Sequence, residues 1–416
     1  MKLTTWAGFV MPQFDGLVDG VVGVALATRL LDATYHDTTD LRLVRRGASL
    51  RYRTGDKVPW TVKLPDGKDG PLLVRKEISF DGPPEGVPEA ATSLVRAYTR
   101  SAALKPVIRL RTRRAPVELT YGGAPVIEIV DDEVSVFEGR RLVSRFTEVE
   151  VEVTGEPPPG LLSAVVSCLR GAGATPGDGL SKVARALGPR ALLAPEPVPV
   201  ALGPESSAGD AVRAAIAAAV TRLLAHDPGV RLGDDPEDVH QARVATRRLR
   251  SDLRTFGTLV DRDWAGALRS EATGVAALLG AVRDPEVLME RLLRQAATLP
   301  ESDRAGIEPL VARLAEQRNK ARVALLDELD NPRYAGLLER LVDAAADPAL
   351  DPVASQPGSR VLPGVVRRPW RRLNRAVQDL PQDPPDALLH EIRIHAKRCR
   401  YAAEAVVGVC GKRARA

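Results

Sequence analysis

The sequence predicts an α+β chain of two domains, an N-terminal antiparallel β-barrel followed by an all-α unit built by duplication. Three observations lead there. Through residues 1–155 charged and β-branched residues alternate with a period of two, as in strands with unlike faces. From residue 210 onward apolar residues return every three or four positions, the period of helices. Within that second stretch VHQARVATRRLRSDLRTF (239–256) has a counterpart 150 positions later, LHEIRIHAKRCRYAAEAV (389–406). Such a repeat predicts two related helical halves about a pseudo-twofold axis, with two basic faces meeting.

The strands come first. LRLVRRGASLRYRTG (41–55) reads as a hairpin turned at Gly47, with Leu41, Leu43, Leu50 and Tyr52 on one side and Arg42, Arg51 and Arg53 on the other. WTVKLPDG (60–67) carries Lys63 inside a strand, and VRKEISF (74–80) follows. A short helix is expected at 88–103. PVIRLRTRRAPVEL (106–119) then puts Arg109, Arg111 and Arg113 on one face. PVIEIVDDEVSVFEG (125–139) and SRFTEVEVEV (144–153) close the set, the latter alternating Glu148, Glu150 and Glu152 with valines. Some strand faces carry Arg and Lys and others Glu. A closed barrel lined by both signs explains this: cations hold phosphate oxygens, and carboxylates hold a divalent metal. Mg²⁺ and Mn²⁺ prefer oxygen ligands. Residues 156–190 predict short helices packed on the barrel, and the Pro/Ala/Ser-rich stretch 191–209 a linker.

The helices follow. The first is expected over 210–226, stopped by His226-Asp227-Pro228-Gly229. Asp and Pro in DDPEDVHQAR mark the next N-terminus. On that helix His240, Arg243, Arg247, Arg250 and Arg254 fall within an arc of ~80°, because steps of three and four alternate. Ala242, Ala245, Leu249, Leu253 and Phe256 form the opposite, core-facing stripe. His390, Arg393, Lys397 and Arg400 repeat the spacing, Arg398 matches Arg248, and Glu404 stands where the first copy has Arg254. A solvated helix face gains by mixing signs at i,i+4. These helices put like charges there twice, an arrangement suited to gripping a chain of anions. Further helices are expected at 262–281, 285–298, 302–329 and 331–346, with a Pro/Gly loop at 347–364.

The pattern H-x2-R-x3-R-x2-R, with its second copy HxxR-x3-K-x2-RY, resembles the two signature helices of CHAD domains, the conserved-histidine α-helical domains, over roughly 209–416. The resemblance implies two four-helix bundles related by pseudo-symmetry around a basic channel that binds inorganic polyphosphate. Carried over residue by residue, it implies phosphate contacts from His240, Arg243, Arg247, Arg248, Arg250, Arg254, His390, Arg393, Lys397, Arg398 and Arg400. LLGAVRDPEVL (278–288) resembles a third family signature, read as a loop or helix start, with Arg283 on phosphate and Asp284 as a structural partner. Arg367, Arg368, Arg371, Arg372 and Arg375 resemble further channel residues, of which Arg368 and Arg372 are taken as binding positions. The family normally continues with another helical stretch after the second signature, so the chain is expected to be truncated at its C-terminus.

The first 190 residues resemble the CYTH family of triphosphate tunnel enzymes through YHDTTDLRLVRRGASLRYRTG, WTVKLP, RLRTRR, IVDDEVSV and TEVEVEV. The resemblance implies that Lys2, Arg51, Arg53, Lys63, Arg109 and Arg111 face the tunnel and bind phosphate. Glu77, Glu128, Glu148 and Glu150 become tunnel carboxylates, the last three best placed for Mg or Mn. The family opens on an E-x-E-x-K strand; here Lys2 matches the lysine and the two glutamates would precede residue 1. Either the start is truncated or the tunnel lacks two metal ligands, and no catalytic residue is assigned.

The resulting expectation is a protein with domains at 1–190 and 210–416 that binds inorganic polyphosphate through its helical part without a cofactor. The alternative is a Mg- or Mn-dependent triphosphatase of the tunnel, with the helical part concentrating substrate. Nucleic acid is disfavoured, because aromatic residues that could stack bases make up 4% of the chain. Net charge is only +5, so basicity is local. Cys168, Cys399 and Cys410 show no CxxC spacing, and no stretch approaches ~20 apolar residues. A cytoplasmic protein, associated with polyphosphate granules, is the expectation. His390 and His395 do not share a helix face, and no GxxxxGK[ST] or GxGxxG loop occurs.

Overall fold

The computed structural model describes residues 1–6, 8–69, 72–300 and 304–411, and their side chains except at 66–69, 72–74 and 305. It divides into two compact units, Met1–Pro195 and Glu196–Ala416.

The N-terminal unit is one antiparallel sheet. Its strands are β1 (Lys2–Thr5), β2 (Val21–Ala25), β3 (Arg29–Asp37), β4 (Ser49–Thr54), β5 (Trp60–Asp69), β6 (Leu72–Phe80), β7 (Lys105–Tyr121), β8 (Ala124–Glu138), β9 (Arg141–Val153) and β10 (Thr175–Pro176). The order is β10-β1-β9-β8-β7-β3-β4-β5-β6, with β2 on the far end of β7. On one face Leu3, Leu119, Ile127, Ile129, Val149 and Val151 pack on Leu161, Val165 and Leu169 of α4 (Leu161–Gly171). On the other, Ile108, Leu110, Val134 and Val136 pack on Leu41 and Val44, and on Val183 and Ala184 of α5 (Lys182–Leu187).

Two local expectations are corrected. Residues 41–47 are not the first arm of a hairpin; α1 (Arg42–Arg45) forms there. The buried Asp37 carboxylate accepts the amides of Thr38, Leu43 and Val44 at 2.7, 2.9 and 3.0 Å, and so winds the chain into a turn of helix. The helix expected over 88–103 is two pieces, α2 (Glu89–Leu94) and α3 (Arg96–Thr99).

The C-terminal unit is helical: α6 (Ala208–Leu232), α7 (Pro236–Thr255), α8 (Arg262–Ala296), α9 (Glu308–Asp330), α10 (Pro332–Ala346), α11 (Gly358–Gln378) and α12 (Asp386–Cys410). Neighbours α6–α7, α7–α8, α8–α9 and α11–α12 pack side by side, and α12 also packs on α7 and α6. Four prolines sit inside these helices. α6 runs through Pro228 because Asp227 is fixed by Arg231 Nε at 2.6 Å and by the Tyr334 hydroxyl at 2.8 Å. Arg322 caps the end of α6, donating to the carbonyls of Val230 and Arg231 at 2.8 and 2.7 Å. Gly229 is required by packing: a Cβ there would lie 1.9 Å from the Asp238 carboxylate, which binds His226 at 2.8 Å. α8 is one helix where two were expected. Arg283 reaches Glu286 and Glu290 at 3.2 and 3.1 Å across Pro285, so 278–288 is helix interior rather than a loop or helix start. α11 likewise begins within the expected loop and contains Pro363 and Pro369. The helix expected over 302–329 is seen as α9 from residue 308; its positions 302 and 303 lie outside the described residues.

Candidate functional site

In the sheet, register decides which charges share a face. Asp132 pairs with Glu148 and Arg114, and Lys2 with Glu150, so these side chains rise together. Following the ladder through β3, β4 and β5 puts Arg51, Arg53, Lys63 and Glu77 on that same face. Arg109 and Arg111 have the opposite parity. Both turn to Asp32, Arg109 through Nε at 2.6 Å and Arg111 through Nη2 at 3.2 Å, which holds the Asp32 carboxyl below its usual range. The tunnel set read from sequence is therefore divided: Lys2, Arg51, Arg53 and Lys63 on one face, Arg109 and Arg111 on the other.

The first face contains a dense ionic cluster. Lys182, the first residue of α5, sends Nζ to Glu148 at 2.7 Å, Asp132 at 2.9 Å and Glu150 at 3.0 Å. Lys2 bridges Glu148 and Glu150 at 3.0 and 2.7 Å. Arg114 bridges Asp132 and Glu150 at 2.7 and 3.2 Å. Burial opposes ionisation of Glu150, yet the Lys182 and Lys2 ammoniums outweigh it and hold that carboxyl well below the usual range. Burial likewise opposes the charge on Lys182, and Glu150, Asp132 and Glu148 outweigh it. Further along the face Lys63 pairs with Glu77 and Arg53 with Asp56, while Arg51 Nε is buried without a partner. Burial and the neighbouring Arg51 lower the Lys63 pKa.

The donor chemistry of Asp132, Glu148 and Glu150 suits a small hard cation, and Glu148 Oε2 is buried without a partner. The arrangement does not fit one. Their oxygens converge on a point filled by the Lys182 ammonium, and three cations already balance three carboxylates. Glu128, opposite Glu118 and Glu152 in the ladder, acts on the cluster through its charge, which helps raise the Arg114 pKa. Among the described residues no group of three or more His, Cys, Asp or Glu side chains is disposed to hold a metal.

In the helical unit α7 supplies the cations because its apolar stripe, with Val239, Ala242, Ala245, Leu249 and Leu253 buried, turns the arginine arc outward. A cavity of about 330 Å³ is lined by His240, Arg243, Arg247, Arg283 and Arg291, with Asp284 paired to Arg243. A second, of about 630 Å³, lies among α6, α7 and α12 and is lined by Arg222, His240, Arg247, Arg248, Asp252, Arg400, Tyr401 and Glu404. Arg248, Arg400 and Arg247 gather round the Tyr401 ring at 4.9, 5.2 and 5.9 Å.

Beyond these cavities the cations crowd one another. Burial, then Arg393 and Arg247, lower the pKa of Lys397. Burial, then Arg254 and Arg372, lower that of Arg398. Burial, then Arg254 and Arg250, lower that of Arg269 on α8. Among the described residues none of Arg250, Arg254, Arg269, Arg372, Arg393, Lys397 and Arg398 has a carboxylate within ion-pairing distance. The Nε groups of Arg247, Arg269 and Arg283 are buried without acceptors. Arg368 and His390 lie exposed on α11 and α12, and neither lines these cavities.

Several participants escaped the sequence reading. Arg114 follows Arg113 directly, so one faces each side of the sheet. Lys182 lies outside every strand. Arg222 and Arg269 sit on helices read only for packing, and Asp252 lies on α7 off the arginine arc. Among the described residues no helix is long and apolar enough to cross a membrane.

A CYTH domain model matches residues 15–187 and a CHAD domain model residues 214–416. Uncharacterized proteins MT2285 and Rv2226, from two strains of Mycobacterium tuberculosis, are each 32% identical over 95% of this chain and 80% of their own length. Among solved structures, PptA from Streptomyces chartreusis is 26% identical with a TM-score of 0.42, over 50% of this chain and 78% of that one. The CHAD domain from the plant Ricinus communis is 25% identical with a TM-score of 0.41, over 50% of this chain and 68% of that one. The chain belongs to the family of proteins in which a CYTH domain is followed by a CHAD domain.

Proposed function

We propose that the helical unit binds inorganic polyphosphate through α7, α8, α11 and α12. The observation that carries this reading is the set of crowded cations without carboxylate partners, three of which have depressed pKa values. Like charges held this close cost free energy unless a polyanion lies across them. A chain with one charge per repeat supplies that, each phosphate taking charge-assisted bonds from one or two guanidiniums. The scarcity of aromatic residues favours such a chain over a nucleic acid, which would gain from stacking. Arg243→Ala combined with Arg393→Ala weakens binding of long-chain polyphosphate well over tenfold in calorimetry, by ~1.5–3 kcal/mol per lost charged contact. Unchanged binding in a variant with wild-type circular dichroism overturns the proposal.

A second reading concerns the sheet. Arg51, Arg53 and Lys63 share a face with the Lys182 cluster, which favours a triphosphate or a polyphosphate end as ligand there. Because the carboxylates are already neutralised, no hydrolytic step is assigned to this face. Tripolyphosphate binding that persists in EDTA and is lost in Arg51→Ala supports the reading. A strict requirement for Mn²⁺ contradicts it.

A further inference from the structure

The two signature helices differ in charge at one position of the basic arc, where Arg254 of α7 is matched by Glu404 of α12. Arg254 has no carboxylate partner among the described residues and lies near Arg269 and Arg398. Glu404 does the opposite of extending the row. One oxygen binds Arg248 Nη1, and the other lies 3.5 Å from Arg400 Nε. Each nitrogen of Arg248 has an acceptor: besides Nη1 on Glu404, Nε binds Asp252 at 3.1 Å and Nη2 binds the Tyr401 carbonyl at 3.2 Å. Both arginines stack on the Tyr401 ring, in the wall of the 630 Å³ cavity.

We infer that Glu404 is an internal stand-in for a ligand phosphate, occupying Arg248 and Arg400 until an incoming polyanion displaces it. The inference rests on the polyphosphate reading and adds its regulation: affinity is set below what the arginines alone would give. Geometry favours exchange. The Glu404 side chain is 49% exposed and can swing to water, whereas Asp252, at 1% exposed, stays and keeps Arg248 in place through Nε. Displacement frees Arg248 Nη1 together with Arg400 Nε, two donors that can meet one phosphate. A lone phosphate gains little by this exchange, since it trades one anion for another. A chain already held by Arg243, Arg247 and Lys397 gains an added contact at little further loss of freedom.

The test is Glu404→Gln, which keeps shape and removes charge, with long-chain polyphosphate titrated over a series of salt concentrations. Binding should tighten about three- to tenfold, the worth of one half-exposed charge contact. The dependence of log K on log salt should steepen by about 0.7, the increment for one more neutralised charge on a single-stranded polyanion. Glu391→Gln, on the same helix and without an ion pair among the described residues, should give neither change. In Glu404→Gln with Arg248→Met the gain should vanish, which marks the coupling as specific. Equal or weaker binding by Glu404→Gln with an unchanged slope overturns the inference, and so does an equal gain from Glu391→Gln. Absence of polyphosphate binding by the wild-type chain overturns the underlying reading as well, and is distinct from both.

Discussion

Replacing Lys182 by Met keeps the apolar stem of the side chain and removes the ammonium from the point where Asp132, Glu148 and Glu150 converge. Asp132 and Glu148 are 0% and 1% exposed, so water cannot take over the lost contacts. Removing one partner from a buried ion pair costs about 3–5 kcal/mol, because the other charge stays behind uncompensated. Lys2 and Arg114 remain, which places the expected loss near about 3 kcal/mol. That is about 6–12 °C in the midpoint of a unit of this size. In the wild type Glu150 titrates below its ordinary value, so its contribution is present above about 4.5 and lost as pH falls. In the variant Glu150 loses the Lys182 ammonium that most offsets its burial, so it titrates higher, and its protonation relieves the excess charge. The gap is therefore widest at pH 8 and narrows toward pH 5. Hydrogen exchange of β8 and β9 peptides in the full chain reads it without interference from the helices. Millimolar Mn²⁺ should protect those peptides in the variant and not in the wild type, since only the variant has a vacant cation position. A variant as protected as wild type at pH 8, a gap independent of pH, or an equal Mn²⁺ response in both would refute the reasoning.

Asp252 offers a second pH probe. Burial pushes its pKa up to about 7, Glu404 of α12 adds to the rise, and Arg248 opposes it. Arg222 of α6 and Arg400 of α12 line the same cavity. A raised carboxyl stabilises the fold below its ordinary value of 3.8, and this is lost as pH rises to about 7. Asp252→Asn should therefore flatten the fall in helical-unit stability between pH 4 and 7, a change on the order of 3 kcal/mol seen by denaturant titration. An unaltered slope contradicts this. Tyr334→Phe leaves Asp227 Oδ2 without its 2.8 Å donor in a buried site, and should cost about 1–3 kcal/mol in the same assay. A neutral outcome would mean that Arg231 alone fixes Asp227.

Much of this was legible from residue patterns. The arginine arc of α7 and its echo on α12 follow from the spacing of three and four, because helical geometry leaves those side chains little choice of face. The antiparallel sheet follows equally from period two. What failed was parity across strands. RLRTRR contains arginines of both parities, and only the pairing of β7 with β3 and β8 shows that Arg114 joins Asp132 while Arg109 and Arg111 turn to Asp32. Register is a long-range property that no window of sequence contains. Proline misled for a related reason. Pro228 and Pro285 each remove one backbone donor, but the side-chain ties of Asp227 and Arg283 hold the helix through them. Lys182 escaped because its partners lie 32 to 50 residues upstream in the sequence.

One titration bears on the function more than any other: long-chain polyphosphate against the full chain, from low to high salt, with affinity at each step. If α7, α8, α11 and α12 together neutralise six or more phosphates, log K falls with log salt at a slope of about −4 or steeper. Absence of binding at low salt, or an affinity indifferent to salt, would contradict a site built from unpaired arginines and lysines.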